Sequence, residues 1–186
     1  MRNTCGTNQL LVATKNGMAI RFAEEDVRQM GRTARGVKAI TLAEDDLVVG
    51  MACVEENTDI LTVGESGKGR RTPAEDYRLQ SRGGKGVQNY NTEKNGPVAG
   101  IRAVSDEDDV ILITDDGVII RIHAADIAVQ SRYGSGVRAM RVAEGSKVVT
   151  LARVPYEEEA EEGEEAAETE GEAPEEAVAE AEPTEE

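Results

Sequence analysis

The chain has no tryptophan, one phenylalanine, one histidine and two cysteines among 186 residues. Without large aromatics its core must be built from Val, Ile, Leu, Met and Ala. Cys5 and Cys53 are too few and too far apart for a disulfide framework or a cysteine metal site, which fits a reducing cytosol. His123 has no second histidine, partner cysteine or nucleophile motif beside it, and it reads as structural. No phosphate-binding loop, zinc pattern or nucleophile elbow is present. Apolar runs stay well short of the roughly 18 to 20 residues that span a bilayer, and the N-terminus has no signal-peptide core. A soluble, intracellular protein with no catalytic residues of its own is the expectation.

Basic residues are also missing from the last 32 positions, which hold 16 Glu. All 21 Lys and Arg lie within residues 1–154, balanced there by 21 Asp and Glu. The net charge of −16 therefore belongs to residues 155–186. With Tyr156 and Val178 as its only larger apolar groups, that segment cannot bury enough surface to offset ordering entropy, and it reads as a disordered acidic tail.

What remains is a repeat. A shift of 50 positions superposes the sequence on itself without a gap, the first thing to establish before assigning a fold. Gly17, Gly67 and Gly117 coincide, as do Arg21, Arg71 and Arg121, then Asp26, Asp76 and Asp126. Arg32, Arg82 and Arg132 follow, then Gly36, Gly86 and Gly136, and Val54, Val104 and Val154. Each copy opens on a short apolar run that ends in Asn16-Gly17, Ser66-Gly67 or Asp116-Gly117, the residues of a tight hairpin turn. The return strand alternates, as in Met18, Ile20 and Phe22. A loop of about 14 residues follows, then two further strands, near 37–42 and 47–53 in the first copy. Asn95-Gly96 and Gly145-Ser146 mark the later turns. The expected fold is all-β and propeller-like, with three four-stranded blades at about 8–57, 58–107 and 108–154. Three blades cannot close a ring of the usual four to eight, so the chain reads as an open arc or a piece of a longer protein.

Equivalent loops should emerge on one edge of such an array, and their charges are uneven. Arg28, Arg32, Arg35 and Lys38 lie in the first loop, Lys68, Arg70, Arg71, Arg78, Arg82 and Lys85 in and before the second, and Arg132, Arg138 and Arg141 in the third. Acids gather elsewhere, at 44–46, 55–59, 106–109 and 115–116, which predicts one basic and one acidic edge. A single loop Arg is ordinarily just solvated. A recurring row of Lys and Arg with glycines that admit a backbone is instead what sequence-independent phosphate binding needs. In the second copy Lys68, Arg70 and Thr72 replace an apolar alternation, which suggests an exposed functional strand edge. Asp26, Asp76 and Asp126 read as Asx turns rather than as acids for catalysis.

The segments Val27–Ile40, Gly67–Thr72 and Asn95–Gly100 resemble the C-terminal domain of the DNA gyrase A protein, over residues 8–154 and with a fitting acidic tail. The close relative is the corresponding protein of topoisomerase IV. The resemblance implies a β-pinwheel whose basic rim wraps double-stranded DNA and presents it to a cleavage core for ATP-driven negative supercoiling. This chain would supply the last three blades. ATP and Mg would bind other domains or subunits, so no cofactor is expected here. The implied partners are the gyrase A core and the gyrase B protein in an A2B2 assembly, in the bacterial cytoplasm at the nucleoid, with no membrane. The cleavage tyrosine would lie outside the chain, since Tyr77, Tyr90, Tyr133 and Tyr156 fall in the repeats or tail. The resemblance implies a Gln-Arg-Arg-Gly-Gly-Lys/Arg-Gly wrapping box in the family's first blade; Gln80–Gly86, in a later blade and with Ser81 in place of the first Arg, is a degenerate copy. From another class, a protein-binding propeller would show kelch or Trp-Asp signatures, which are absent.

Overall fold

A computed structural model describes residues 4–155; the segment read as an acidic tail lies outside the described residues, apart from the backbone of Pro155. The elements in order are β1 (Gln9–Thr14), β2 (Met18–Ala23), β3 (Val48–Val54), β4 (Asp59–Gly64), β5 (Lys68–Pro73), β6 (Val87–Gln88), α1 (Thr92–Asn95), β7 (Val98–Val104), β8 (Asp108–Thr114), β9 (Ile119–His123), β10 (Val137–Arg138) and β11 (Val148–Pro155). Short 3-10 turns at Glu24–Asp26, Ala74–Asp76 and Ala124–Asp126 follow β2, β5 and β9. The fold is all-β, as expected. No helix among the described residues is long and apolar enough to cross a membrane.

The blades are antiparallel sheets of order β3-β1-β2-β6, β10-β5-β4-β7 and β11-β8-β9. Three strands of each blade come from one repeat. The fourth does not: β6, from the second repeat, pairs with β2 through Met18–Gln88 and Ala19–Val87. In the same way β10, from the third repeat, pairs with β5 through Gly69–Val137 and Lys68–Arg138. The second and third repeats each supply four strands, as expected, but share them between two sheets, since the short strand after the loop completes the preceding blade. The third sheet has three described strands. The strand expected near 37–42 forms no ladder among the described residues.

The hairpin glycines adopt the positive φ their turns require, +84° at Gly17, +77° at Gly67 and +85° at Gly117. Asn95-Gly96 differs from expectation. Asn95 ends a four-residue helix capped by the Asn91 side chain, and it is buried. The recurring aspartates also differ: each closes a 3-10 turn held by backbone bonds such as Val27 N–H to Glu24 O, 2.8 Å. Their carboxylates are exposed and reach no described donor, so they are not Asx turns.

β3, β7 and β11 pack side by side as a hub. Gly50 lets β3 approach Ile101, and a Cβ on Gly100 would run into the Leu151 side chain. Around the hub lie three apolar clusters. Leu10, Val12, Ile20, Phe22 and Ile40 form one, Leu11, Ala52, Ile60 and Ile101 a second, and Leu61, Val104, Val110, Leu112 and Leu151 a third.

Candidate nucleic-acid interface

In the second and third repeats the loop after the second strand runs back along the outer edge of the preceding blade. In the second repeat Gln80 N–H donates to Arg21 O at 3.0 Å, Gly83 N–H to Ala39 O at 2.6 Å, and Asn89 N–H to Gly17 O at 2.7 Å. In the third, Gln130 N–H donates to Arg71 O at 2.8 Å, and Ala139 and Met140 N–H to Gly67 O at 3.0 Å. These two loops are thereby fixed to strand edges, and the loop of the second repeat is also linked to that of the first. Thr41 N–H donates to Gly84 O at 2.8 Å and its hydroxyl to Gly83 O at 2.6 Å. The loop cations form a file along the blade edges for this reason.

Nine of the thirteen candidates are exposed there: Arg28, Arg32, Arg35, Lys38, Lys68, Arg78, Lys85, Arg138 and Arg141. Lys68 and Arg138 are direct cross-strand partners. Like charges opposite one another repel, so an anion between them would be favoured. The Lys68 ammonium donates to Asn95 Oδ1 at 3.2 Å, and Arg78 reaches only Gln80 Oε1 at 3.5 Å. The other seven engage no described side chain. Arg82 and Arg132 are half-buried clamps. Arg82 donates to Asp26 O at 2.8 Å and Lys38 O at 3.0 Å, and Arg132 donates to Gln88 O at 2.8 Å while stacking on Tyr133.

Arg70 and Arg71 are corrected: neither is on an exposed edge. Arg70 is 0% exposed. Its guanidinium donates to the carbonyls of Asn89, Arg132 (2.6 Å) and Gly134 (3.0 Å) and lies 5.4 Å from the Tyr90 ring centre. Burial lowers its pKa from the ordinary guanidinium value. Tyr77 donates to Asn89 Oδ1 at 2.5 Å and Tyr90 to Lys68 O at 2.9 Å; burial pushes both phenols up to about 12. Arg71 donates to Ile127 O at 2.8 Å and pairs with Asp106 and, at 3.6 Å, Asp59. The second copy had carried the signal. Thr62, Arg70, Thr72, Tyr77, Asn89 and Tyr90 occupy positions that are mostly apolar in the other two copies. Six correlated polar departures mark a buried network, because each needs the others as partners.

Two further readings change. Gly83 spends its N–H on Ala39, and a Cβ on Gly86 would meet Ala19 O. These glycines fit the loop to the neighbouring blade rather than opening a path for phosphate. The acids do not share one edge either. Register puts 44–46 and 115–116 at the hairpin-turn end of the strands and 55–59 and 106–109 at the other end. Several are structural. Asp46 accepts from Asn16 and Leu47 N–H at 2.9 Å, Asp108 accepts from Ser105 and Arg153, and Asp109 pairs with His123 at 2.8 Å and Arg121 at 2.6 Å. His123 is structural, as expected.

A family model described as "DNA gyrase C-terminal domain, beta-propeller" matches residues 8–55, 58–105 and 108–155, one copy per repeat. The chain belongs to this family. Among curated relatives, the DNA gyrase A protein of Haloquadratum walsbyi is 47% identical over 64 residues, 33% of this chain and 8% of the relative. That of Staphylococcus aureus is 43% identical over 68 residues, 36% of this chain and 8% of the relative. The chain thus spans a small fraction of the curated relatives it matches. A solved DNA gyrase A C-terminal domain superposes with a TM-score of 0.75 at 27% identity, covering 81% of this chain and 52% of the other. The C-terminal domain of DNA topoisomerase IV gives 0.75 at 25% identity, covering 81% and 47%. The β-pinwheel reading of the repeats is established by these matches.

Proposed function

We propose that residues 8–155 bind double-stranded DNA through the loop rim, without reading its sequence, as the wrapping module of a gyrase A protein. The observation that carries this reading is the file of exposed cations free of described acidic partners, above all Lys68 and Arg138 set opposite each other. Phosphate contacts of this kind position a duplex without base readout. The parent enzyme would supply the cleavage core with its tyrosine, and the gyrase B protein, in an A2B2 assembly, would supply ATP and Mg chemistry for supercoiling. Its place would be the bacterial cytoplasm, at the nucleoid. The topoisomerase IV module is the second reading, favoured by a fold match as good as that to gyrase.

The test is a salt series of DNA affinity for the full chain and for a Lys85→Gln, Arg138→Gln variant. Each lost phosphate contact should reduce the log–log slope by about 0.9, equally for unrelated duplexes, with urea stability unchanged. An unchanged slope, or a loss confined to one DNA sequence, would overturn the rim.

A further inference from the structure

The tip of the third loop carries an aromatic ring that a track for phosphates does not call for. Tyr133 is 72% exposed, at a position held by Thr33 in the first repeat and Gly83 in the second. Exposure belongs to the tip itself, since Thr33 is exposed too although the second repeat is laid against the first. The residues on either side of the ring are anchored from below: the carbonyls of Arg132 and Gly134 both accept from the buried Arg70 guanidinium, at 2.6 and 3.0 Å. Gly134 N–H closes the turn onto Ser131 O at 2.9 Å, and a Cβ on Gly134 would collide with the Gln130 side chain. Gln130 Oε1 is itself fixed by the Gly136 N–H at 2.9 Å. The Arg132 guanidinium lies 5.0 Å from the ring centre while donating to Gln88 O at 2.8 Å. A tyrosine that served only to be solvated would need none of this support. An exposed ring whose backbone is fixed in advance gives up little entropy when a flat group is laid on it.

We propose that Tyr133 is a stacking wedge, whose ring lies against a nucleobase exposed where the duplex on the rim opens at one step. Nucleobases are the flat groups that DNA offers, and every base has a face on which an aromatic side chain can stack. In a straight duplex those faces are covered by neighbouring pairs. A bent duplex opens at its most deformable step, and a side chain inserted there holds the kink. The surroundings favour this occupant over an uncharged apolar one. Arg138 on the same loop and its cross-strand partner Lys68 are exposed cations for the flanking phosphates, and Arg132 keeps a positive charge beside the ring. The inference rests on the rim as the DNA-binding surface. It adds a preference for how readily a step opens, not for which bases form it.

The full chain is titrated with three DNAs of one length: a fully paired duplex, the same duplex with a central mismatch holding 2-aminopurine, and the single strand that holds it. The mismatched duplex, whose central step is already loosened, should bind about tenfold more tightly than the paired one, equivalent to about 1.4 kcal/mol. Its 2-aminopurine emission should be quenched as the ring stacks on the base. Tyr133→Phe should keep both effects. Tyr133→Ser should abolish both, with the urea midpoint and the salt slope on the paired duplex unchanged, because it removes a ring and no phosphate contact. A preference or quenching that survives Tyr133→Ser, an equal loss in Tyr133→Phe, a salt slope that falls with the ring, or a loss confined to the single strand would each overturn the wedge and leave the rim intact. Failure to bind any of the three DNAs would overturn the rim, and the wedge with it.

Discussion

Gly67 and Gly117 occupy the same turn, with φ of +77° and +85°, yet they stand in opposite surroundings. Gly67 is buried beneath the third repeat, its Cβ direction blocked by Met140 O, whereas Gly117 faces open space. The same holds for the arginines four positions on. Arg71 is buried across a junction, and Arg121 is exposed on an edge strand that has no further partner among the described residues. A repeat position therefore has no fixed role in this fold. What a residue does depends on whether the next repeat has been laid over it, so recurrence of type along the 50-residue period separates structural arginines from rim arginines poorly.

That contrast can be broken most forcefully at the second junction. Arg70→Ala would strip partners from three carbonyls, each worth about 1–3 kcal/mol when buried and unsatisfied. Urea unfolding should show a loss on the order of 4 kcal/mol or more, against a smaller loss for Arg121→Ala, which removes an exposed guanidinium and leaves the buried Asp109 carboxylate its His123 partner. Comparable losses for the two would mean that the third edge is not open. DNA affinity of any folded Arg70 variant should keep its wild-type salt slope, since Arg70 meets no phosphate.

A smaller difference separates the glycines. Gly67→Ala should cost about 1–2 kcal/mol for the left-handed backbone and a further 1–3 kcal/mol or so for overpacking against Met140 O. Gly117→Ala should show only the first cost. The difference in urea midpoint between the two variants measures closure of the second junction, and equal midpoints would contradict it.

The smallest expected effect is a titration. Tyr77 and Tyr90 are held neutral by burial, with pKa values near 12 against an ordinary 10.0. The folded chain thus binds these phenolic protons more tightly than the unfolded chain does. Their contribution, on the order of 2 kcal/mol each, is intact below pH 10 and is lost as the pH climbs from 10 towards 12. Stability should decline over that window, with tyrosinate absorbance from these two residues appearing together with unfolding. Val27, Ile127, Ile40 and Met140, their counterparts in the other copies, cannot titrate, so the decline belongs to the second repeat. Ionisation of both phenols near pH 10 in a folded protein would show that the network is solvated.

Much of this was legible in the linear pattern. Hairpin glycines, alternating return strands and a period of 50 specify sheets and their stacking, because strand periodicity and turn conformation are local properties. The clustering of Arg28, Arg32, Arg35, Lys38, Lys85, Arg138 and Arg141 on loops was equally readable. The roles of Arg70 and Arg71 were not. Burial of a guanidinium depends on acceptors that lie 19 to 64 residues away in sequence for Arg70, and only the correlated polar substitutions of the second copy hint at them.

By itself the sequence determined the all-β repeat, the neutral body with its acidic appendix, and which loops carry positive charge; each of these follows from residue type and short-range spacing. The tertiary structure alone decided that a blade borrows its fourth strand from the following repeat and that two arginines serve as internal braces. The reason is that strand edges, buried carbonyls and open space are relations between segments some 50 residues apart. A local pattern is identical whether its edge is covered or bare.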